Sequence, residues 1–206
     1  MSSYTTDLSK YDRQLRTFGI EATQKINDSV VYLIGLEGGL GTEVAKNLVL
    51  SGIKQLNLYD NTLVSKRDIE FGYFYDESML NKKRTECLIP FLQELNPYTK
   101  INHFTDFNFE ENSTVIICNI VLNMASNINL EARRFNCKTV YVFAKGVAGY
   151  VFVDALTNHI VYDLDGENIE PIEVTNILDD GKVFCNDHQF RHNDLVEFSN
   201  LKGDNL

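Results

Sequence analysis

The chain is short of positive charge. Nineteen lysines and arginines stand against twenty-nine aspartates and glutamates in 206 residues, a formal net charge of −10. Nucleic acid and anionic membrane surfaces both require basic patches, so neither is expected as a partner. No uninterrupted apolar run approaches the roughly 20 residues of a membrane span. Met1 to Asp7 has neither a charged nor an apolar region of the kind a secretory leader needs, so none is expected. Internal repeats and low-complexity tracts are also missing. The four cysteines, Cys87, Cys118, Cys137 and Cys185, form no CxxC pair and no Cys/His cluster at zinc spacing. They read as reduced thiols. Cys118 closes the apolar run Val115-Ile116-Ile117 and Cys87 precedes Leu88 and Ile89, so both are expected to be buried and structural. The histidines His103, His159, His188 and His192 are scattered, and the i,i+4 pair His188/His192 falls in a turn-like stretch. No metal site is expected.

What is present is an alternation of strands and helices. Val30 to Ile34 is a continuous apolar run, the pattern of a strand buried on both faces in a parallel sheet. Gly35-Leu36-Glu37-Gly38-Gly39-Leu40-Gly41 follows at once, then a helix from Thr42 to Leu50 stopped by Ser51-Gly52. Gln55 to Tyr59 is the next strand, completing a βαβ unit. Ahead of it, Asp12 to Arg16 reads as a short helix and Glu21 to Ile26 as a second helical stretch. Beyond it come a helix at Asn81 to Leu95, strands at Ile101 to Phe104 and Val115 to Cys118, a helix at Met124 to Phe135 and a strand at Thr139 to Ala144. This predicts an α/β, Rossmann-like fold with a mostly parallel sheet and flanking helices.

From Gly146 the rhythm changes. Tyr150 to Val153, His159 to Tyr162, Lys182 to Cys185 and Leu195 to Phe198 read as short strands with no helix between them. The expected division is residues 1–168 for the α/β domain and 169–206 for the opening of a small β domain. The second part, about 35 residues, is too short to bury a core alone and is expected to be incomplete.

A glycine-rich turn between a buried strand and a helix is ordinarily a phosphate cradle, because helix N-terminal amides point at the anion. Asp60 ends the next strand 19 residues after Gly41, near where a ribose-binding carboxylate would stand. An NAD-dependent oxidoreductase is therefore one reading. The spacing opposes it, since Gly35 as position one puts Glu37 at position three, and Gly39 with Gly41 puts Val44 at position six. Glu37 would also repel a pyrophosphate. The glycines are expected to serve a tight turn and close helix–sheet packing. Asp60 is expected to cap the strand end or the following loop, and Lys82 to be solvated.

Tyr11-Asp12-Arg13-Gln14-Leu15-Arg16-Thr17-Phe18-Gly19, then Glu21-Ala22 and the stretch from Val31 to Ala45-Lys46-Asn47-Leu48, resemble the ubiquitin-activating enzyme family. The match is to the inactive, N-terminal adenylation half of the large single-chain enzyme. Lys82-Lys83-Arg84-Thr85-Glu86, Leu95-Asn96-Pro97 and Lys145-Gly146 to Phe152 extend it. His192 to Ser199 with Leu201-Lys202-Gly203 resembles the start of the first catalytic-cysteine half-domain. The Gly35 to Gly41 turn departs from the family by one extra residue.

The resemblance implies two paired adenylation halves, of which only the partner half holds ATP and magnesium. There the ubiquitin C-terminal carboxylate attacks the α-phosphate, releasing pyrophosphate, and a cysteine in another domain then takes the acyl group as a thioester. The active-half motif Asn-Arg-Gln-Phe would fall at Asp68 to Phe71, where this chain reads Asp-Ile-Glu-Phe. No residue matches the catalytic thiol, so the chain alone is expected to be inactive, with no cofactor and no metal of its own. Arg13 is the implied catalytic contribution, reaching in trans into the partner's ATP site. A guanidinium suits that role because it stays ionised and grips two phosphate oxygens. The implied partners are the active adenylation half, ubiquitin and, through the parent enzyme, ubiquitin-conjugating enzymes. The implied location is cytoplasm and nucleus. Alternatives are the small subunit or pairing module of an enzyme activating a related modifier of the SUMO or NEDD8 type. An unpaired half is also expected to self-associate through an exposed apolar face.

Overall fold

A computed structural model describes residues 8–161, 171–186, 188, 190 and 196–199. The chain divides into two compact units, Met1–His159 and Ile160–Leu206. In the first unit, helices α1 (Asp12–Asn27), α2 (Gly38–Ser51), α3 (Lys66–Phe71), α4 (Arg84–Leu95) and α5 (Leu122–Arg134) surround one sheet. Its strands are β1 (Val30–Ile34), β2 (Gln55–Tyr59), β3 (Lys100–His103), β4 (Thr114–Cys118), β5 (Lys138–Lys145) and β6 (Ala148–Asp154). They lie in the order β3-β2-β1-β4-β5-β6. Every neighbouring pair is parallel except β5 and β6, which form an antiparallel hairpin. The expected α/β architecture with a mostly parallel sheet is what forms.

Burial on both faces explains why β1 is apolar throughout. Val31 and Leu33 enter a core with Ala45 and Val49 of α2 and Leu88 and Leu92 of α4. Val30, Tyr32 and Ile34 enter the opposite core with Ala125, Ile128 and Ala132 of α5. Leu33 and Ile34 are both wholly buried. Truncating such a residue to alanine costs about 2–5 kcal/mol.

The two helical stretches read before Val30 are one assigned helix broken at Gly19, whose φ of 79° and ψ of 172° are not helical. Two boundaries differ from the reading of the sequence by three residues or more. α2 begins at Gly38, not Thr42, so Gly39 and Gly41 lie within the helix, and Gly38 opens it with a positive φ of 67°. α4 begins at Arg84, not Asn81, because Asn81 takes a positive φ of 63°. Helix α3 was not foreseen. At six residues it has little periodicity, and its signature is the Ser65/Asp68 capping box at its start.

In the second unit, β7 (Val174–Ile177) and β8 (Val183–Cys185) form an antiparallel pair. β8 falls within the expected Lys182 to Cys185, whereas β7, with Thr175 and Asn176, was missed. The strand expected at His159 to Tyr162 is absent over His159 to Val161. The chain turns after β6, where Asp154 accepts the Leu156 amide at 3.0 Å and Leu156 has φ of 68°. That turn ends the ladder. Val196 to Phe198 is likewise not a strand, having no partner strand among the described residues. Tyr162, Leu195 and the expected 168/169 boundary lie outside the described residues.

Candidate functional site

The order of strands reverses between β1 and β4, and open α/β sheets bind ligands in the crevice at such a point. Gly35 lies there with φ of 94°, and a Cβ on it would collide with the Cys118 carbonyl oxygen. Gly41 is pressed as closely against the Gly35 carbonyl. These glycines therefore serve tight packing, as expected.

Two of the amides that would face a phosphate are already engaged. The Leu36 N–H donates to Asp60 Oδ2 at 2.7 Å, and the Gly38 N–H donates to Asp68 Oδ1 at 2.9 Å. Carboxylates of the chain thus sit at the N-terminus of α2, where a phosphate would sit in a nucleotide-binding relative of this fold. Exposed Glu37 adds a further negative charge at the same turn.

Each carboxylate is held by more than the turn. Asp60, at the end of β2, also accepts the Thr62 N–H at 2.8 Å, the strand-end capping expected of it. Asp68, the third residue of α3, closes its capping box with Ser65, whose N–H and hydroxyl donate at 2.8 and 2.7 Å. Arg84, the first residue of α4, joins the two. Its Nε and Nη2 donate to Asp68 Oδ2 at 3.1 and 2.8 Å, and its Nη1 lies 3.5 Å from Asp60 and bonds Thr62 Oγ1. Asp68 is fully buried and Arg84 only 4% exposed.

Burial opposes the ionisation of Asp68, but the bonds from Arg84, Gly38 and Ser65 outweigh it and hold the carboxyl below its usual range. For Arg84, burial is likewise outweighed by Asp68 and Asp60, so its pKa rises. Tyr75 is buried near both acids, and burial followed by the Asp68 charge pushes its phenol well above the usual value. The triad is a charged, satisfied lock over the turn. Asp68 and Arg84 had been read only as positions within motifs; the capping spacing from Ser65 was the available signal for Asp68.

Arg13 lies elsewhere, on the part of α1 before the Gly19 break. The Tyr-Asp-Arg-Gln motif splits between inward and outward residues. Tyr11 is buried, and its hydroxyl accepts Asn96 Nδ2 at 2.9 Å. Gln14 donates to the Ser51 carbonyl at 3.3 Å. Asn96, fully buried, also donates to the Val49 carbonyl at 2.8 Å. Gly52, the left-handed cap of α2, packs so closely on the Tyr11 ring that a Cβ there would clash. The start of α1 is thereby fixed to the ends of α2 and α4. Asp12 and Arg16 form the expected surface pair at 2.9 Å. Arg13 is exposed, and among the described residues its guanidinium has no hydrogen-bond or ion-pair partner.

Lys82 is exposed, as expected. Cys87, Cys118 and Cys137 are buried free thiols, and Cys185 is half-buried. Burial raises the Cys87 thiol and pushes Cys118 up to about 12, so neither supplies a thiolate at neutral pH. Among the described residues no cluster of metal-ligating side chains occurs.

A doubly wound α/β domain of the dinucleotide-binding type, with its own carboxylates closing the phosphate turn, is the class that fold and site define. Within that class the chain belongs to the ThiF family, whose pattern matches residues 11–139. It is similar to the ubiquitin-activating enzyme E1 1 of Candida albicans, 34% identical over 205 residues that are 96% of this chain and 20% of the relative. It is similar also to the ubiquitin-activating enzyme E1 1 of Schizosaccharomyces pombe, 32% identical over 97% of this chain and 20% of the relative. The human ubiquitin-like modifier-activating enzyme 1 is 31% identical over 96% of this chain and 19% of its own length. The chain thus spans about a fifth of the length of the curated relatives it matches.

Proposed function

We propose that this chain acts as the nucleotide-silent adenylation half of a ubiquitin-activating machinery, positioning an active half that holds ATP and magnesium. The observation that carries this reading is the closed turn. A phosphate approaching Leu36 and Gly38 would have to displace Asp60 and Asp68 from their amides and from Arg84. The same closure weighs against an NAD-dependent oxidoreductase.

Arg13 is the residue proposed to act in the chemistry. Its support is its exposure two positions after buried Tyr11, so that an exposed guanidinium is carried on a firmly held helix start. In the partner's site it would neutralise charge on the departing pyrophosphate as the ubiquitin carboxylate attacks the α-phosphate. Ubiquitin, ubiquitin-conjugating enzymes and a cytoplasmic and nuclear location belong to the same proposal, by similarity to the relatives above.

The test joins this chain to an active half and measures ubiquitin-dependent exchange of pyrophosphate into ATP. The chain alone is expected to show none. Arg13→Ala in the joined enzyme is expected to slow exchange by about 10²–10³-fold, the effect of losing one oxyanion donor. Arg16→Ala, which removes only a surface pair, should leave it unchanged. Exchange unaffected by Arg13→Ala would refute the role in trans.

A further inference from the structure

We infer that Asn96, the residue that ends α4, is a positioning residue for Arg13: it fixes the short helical segment that carries the guanidinium. The inference rests on the role in trans proposed above for Arg13.

Arg13 lies on a segment that the rest of α1 does not hold. Gly19, with φ of 79° and ψ of 172°, interrupts the helix between that segment and the stretch running to Asn27. Phe18 and Ile20, on either side of the break, are 60 and 74% exposed, so they do not pin it by packing. Thr17 donates to the Arg13 carbonyl and Arg16 pairs with Asp12, both within the segment. Among the described residues, the hydrogen bonds that tie residues 10–18 to other elements run through Lys10, Tyr11 and Gln14. Gln14 reaches the Ser51 carbonyl, and the other two end on Asn96.

Asn96 is suited to this by its own surroundings. A wholly buried amide costs stability unless its polar atoms are paired, and both of these are. Nδ2 donates to the Tyr11 hydroxyl at 2.9 Å and the Val49 carbonyl at 2.8 Å, and lies 3.3 Å from Thr99 Oγ1. Oδ1 accepts the Tyr98 N–H at 3.2 Å and the Lys10 ammonium at 3.4 Å. Thr99 in turn donates to the Ile53 carbonyl at 2.9 Å. One side chain therefore joins the end of α2, the end of α4 and the approach to β3, and sets Tyr11 against that frame. Only an amide can do so, because it offers donors and an acceptor from one planar group, and a carboxylate has no donor. The Tyr11 ring also lies on Gly52, where a Cβ would come within 2.7 Å of it. Arg13 follows two residues later. Displacing a catalytic group by about 1 Å can cost about 10²-fold in rate, so the placement of this helix start is worth that much to a guanidinium acting across an interface.

The test is a double-mutant cycle in the enzyme made by joining this chain to an active half, read as kcat and KM for ubiquitin-dependent exchange of pyrophosphate into ATP. Asn96→Ala is expected to lower kcat by about 10–10²-fold with KM for ATP changed by less than about twofold, because a displaced Arg13 is missed in the transition state. In an Arg13→Ala background the same change should lower kcat by less than about twofold. A merely structural role would carry the same loss into both backgrounds, and that result would overturn the inference. So would a kcat indifferent to Asn96→Ala while Arg13→Ala slows exchange. Tyr11→Phe keeps the ring on Gly52 and removes only the hydroxyl. It should lower kcat by about 2–10-fold and lose that effect without Arg13, and it carries the cycle where Asn96→Ala fails to fold. Exchange indifferent to Arg13→Ala would refute the role in trans itself, and the positioning with it.

Discussion

Two polar clusters of the same domain make an instructive contrast. Around Arg84, both carboxylates of Asp60 and Asp68 are supplied with donors from the turn, the capping serine and the guanidinium. Around Asp154, the ion pair with Arg133 is just as short, yet Asn129 Oδ1 and Thr139 Oγ1 are buried without a partner among the described residues. A saturated cluster has no capacity for a ligand and works as a lock. An unsaturated one carries the desolvation cost of its orphan atoms. The position a nucleotide-binding fold would use is the saturated one, so fold alone does not establish a binding site.

The two clusters should respond in opposite ways when a polar group is removed. Arg84→Ala leaves two buried carboxylates without their cation and should cost about 3–5 kcal/mol in denaturant unfolding. A loss below about 1 kcal/mol would mean that the lock is not closed in solution. Asn96→Ala removes the tie between Tyr11 and the Val49 carbonyl and should cost about 1–3 kcal/mol, with increased amide exchange at the start of α1. Unchanged exchange there would show that Arg13 does not depend on that anchor. The pH dependence has a definite sign. Because the folded pKa of Asp68 lies below its unfolded value of about 3.9, its contribution is complete above that value. It is lost as pH falls through the folded pKa, and Asp68→Asn should flatten the acid limb of a stability–pH curve. Thr139→Val should change stability least, within about 1 kcal/mol and in the stabilising direction, because it removes an orphan hydroxyl from a buried site. A large loss would show that Thr139 is satisfied after all.

Much of the fold could be read from the sequence because its signals are local. The apolar run of β1, the glycines after it and the helix ended by Gly52 each follow from neighbouring residues, and the two stretches of α1 on either side of Gly19 were separable for the same reason. The lock was not legible, because Asp60, Asp68 and Arg84 come from the end of β2, from α3 and from the start of α4 and meet only through tertiary structure. Asp60 showed half its role, the cap on Thr62, since that bond spans two residues; its bond to Leu36 spans 24. Arg13 could be picked out only by resemblance. What the structure adds is Tyr11, the motif residue that faces inward and holds it. The strand ends of the second unit failed for a further reason: short apolar runs such as His159 to Val161 become strands only where another strand pairs with them.

The most direct measurement of the closed turn follows the backbone amides of Leu36 and Gly38 by NMR while magnesium-ATP, and separately pyrophosphate, is added to millimolar concentration. Amides held by Asp60 and Asp68 should not move, and no saturable binding should be seen. Saturable shifts at Leu36 and Gly38 would mean that the carboxylates yield to phosphate and that this half binds nucleotide itself.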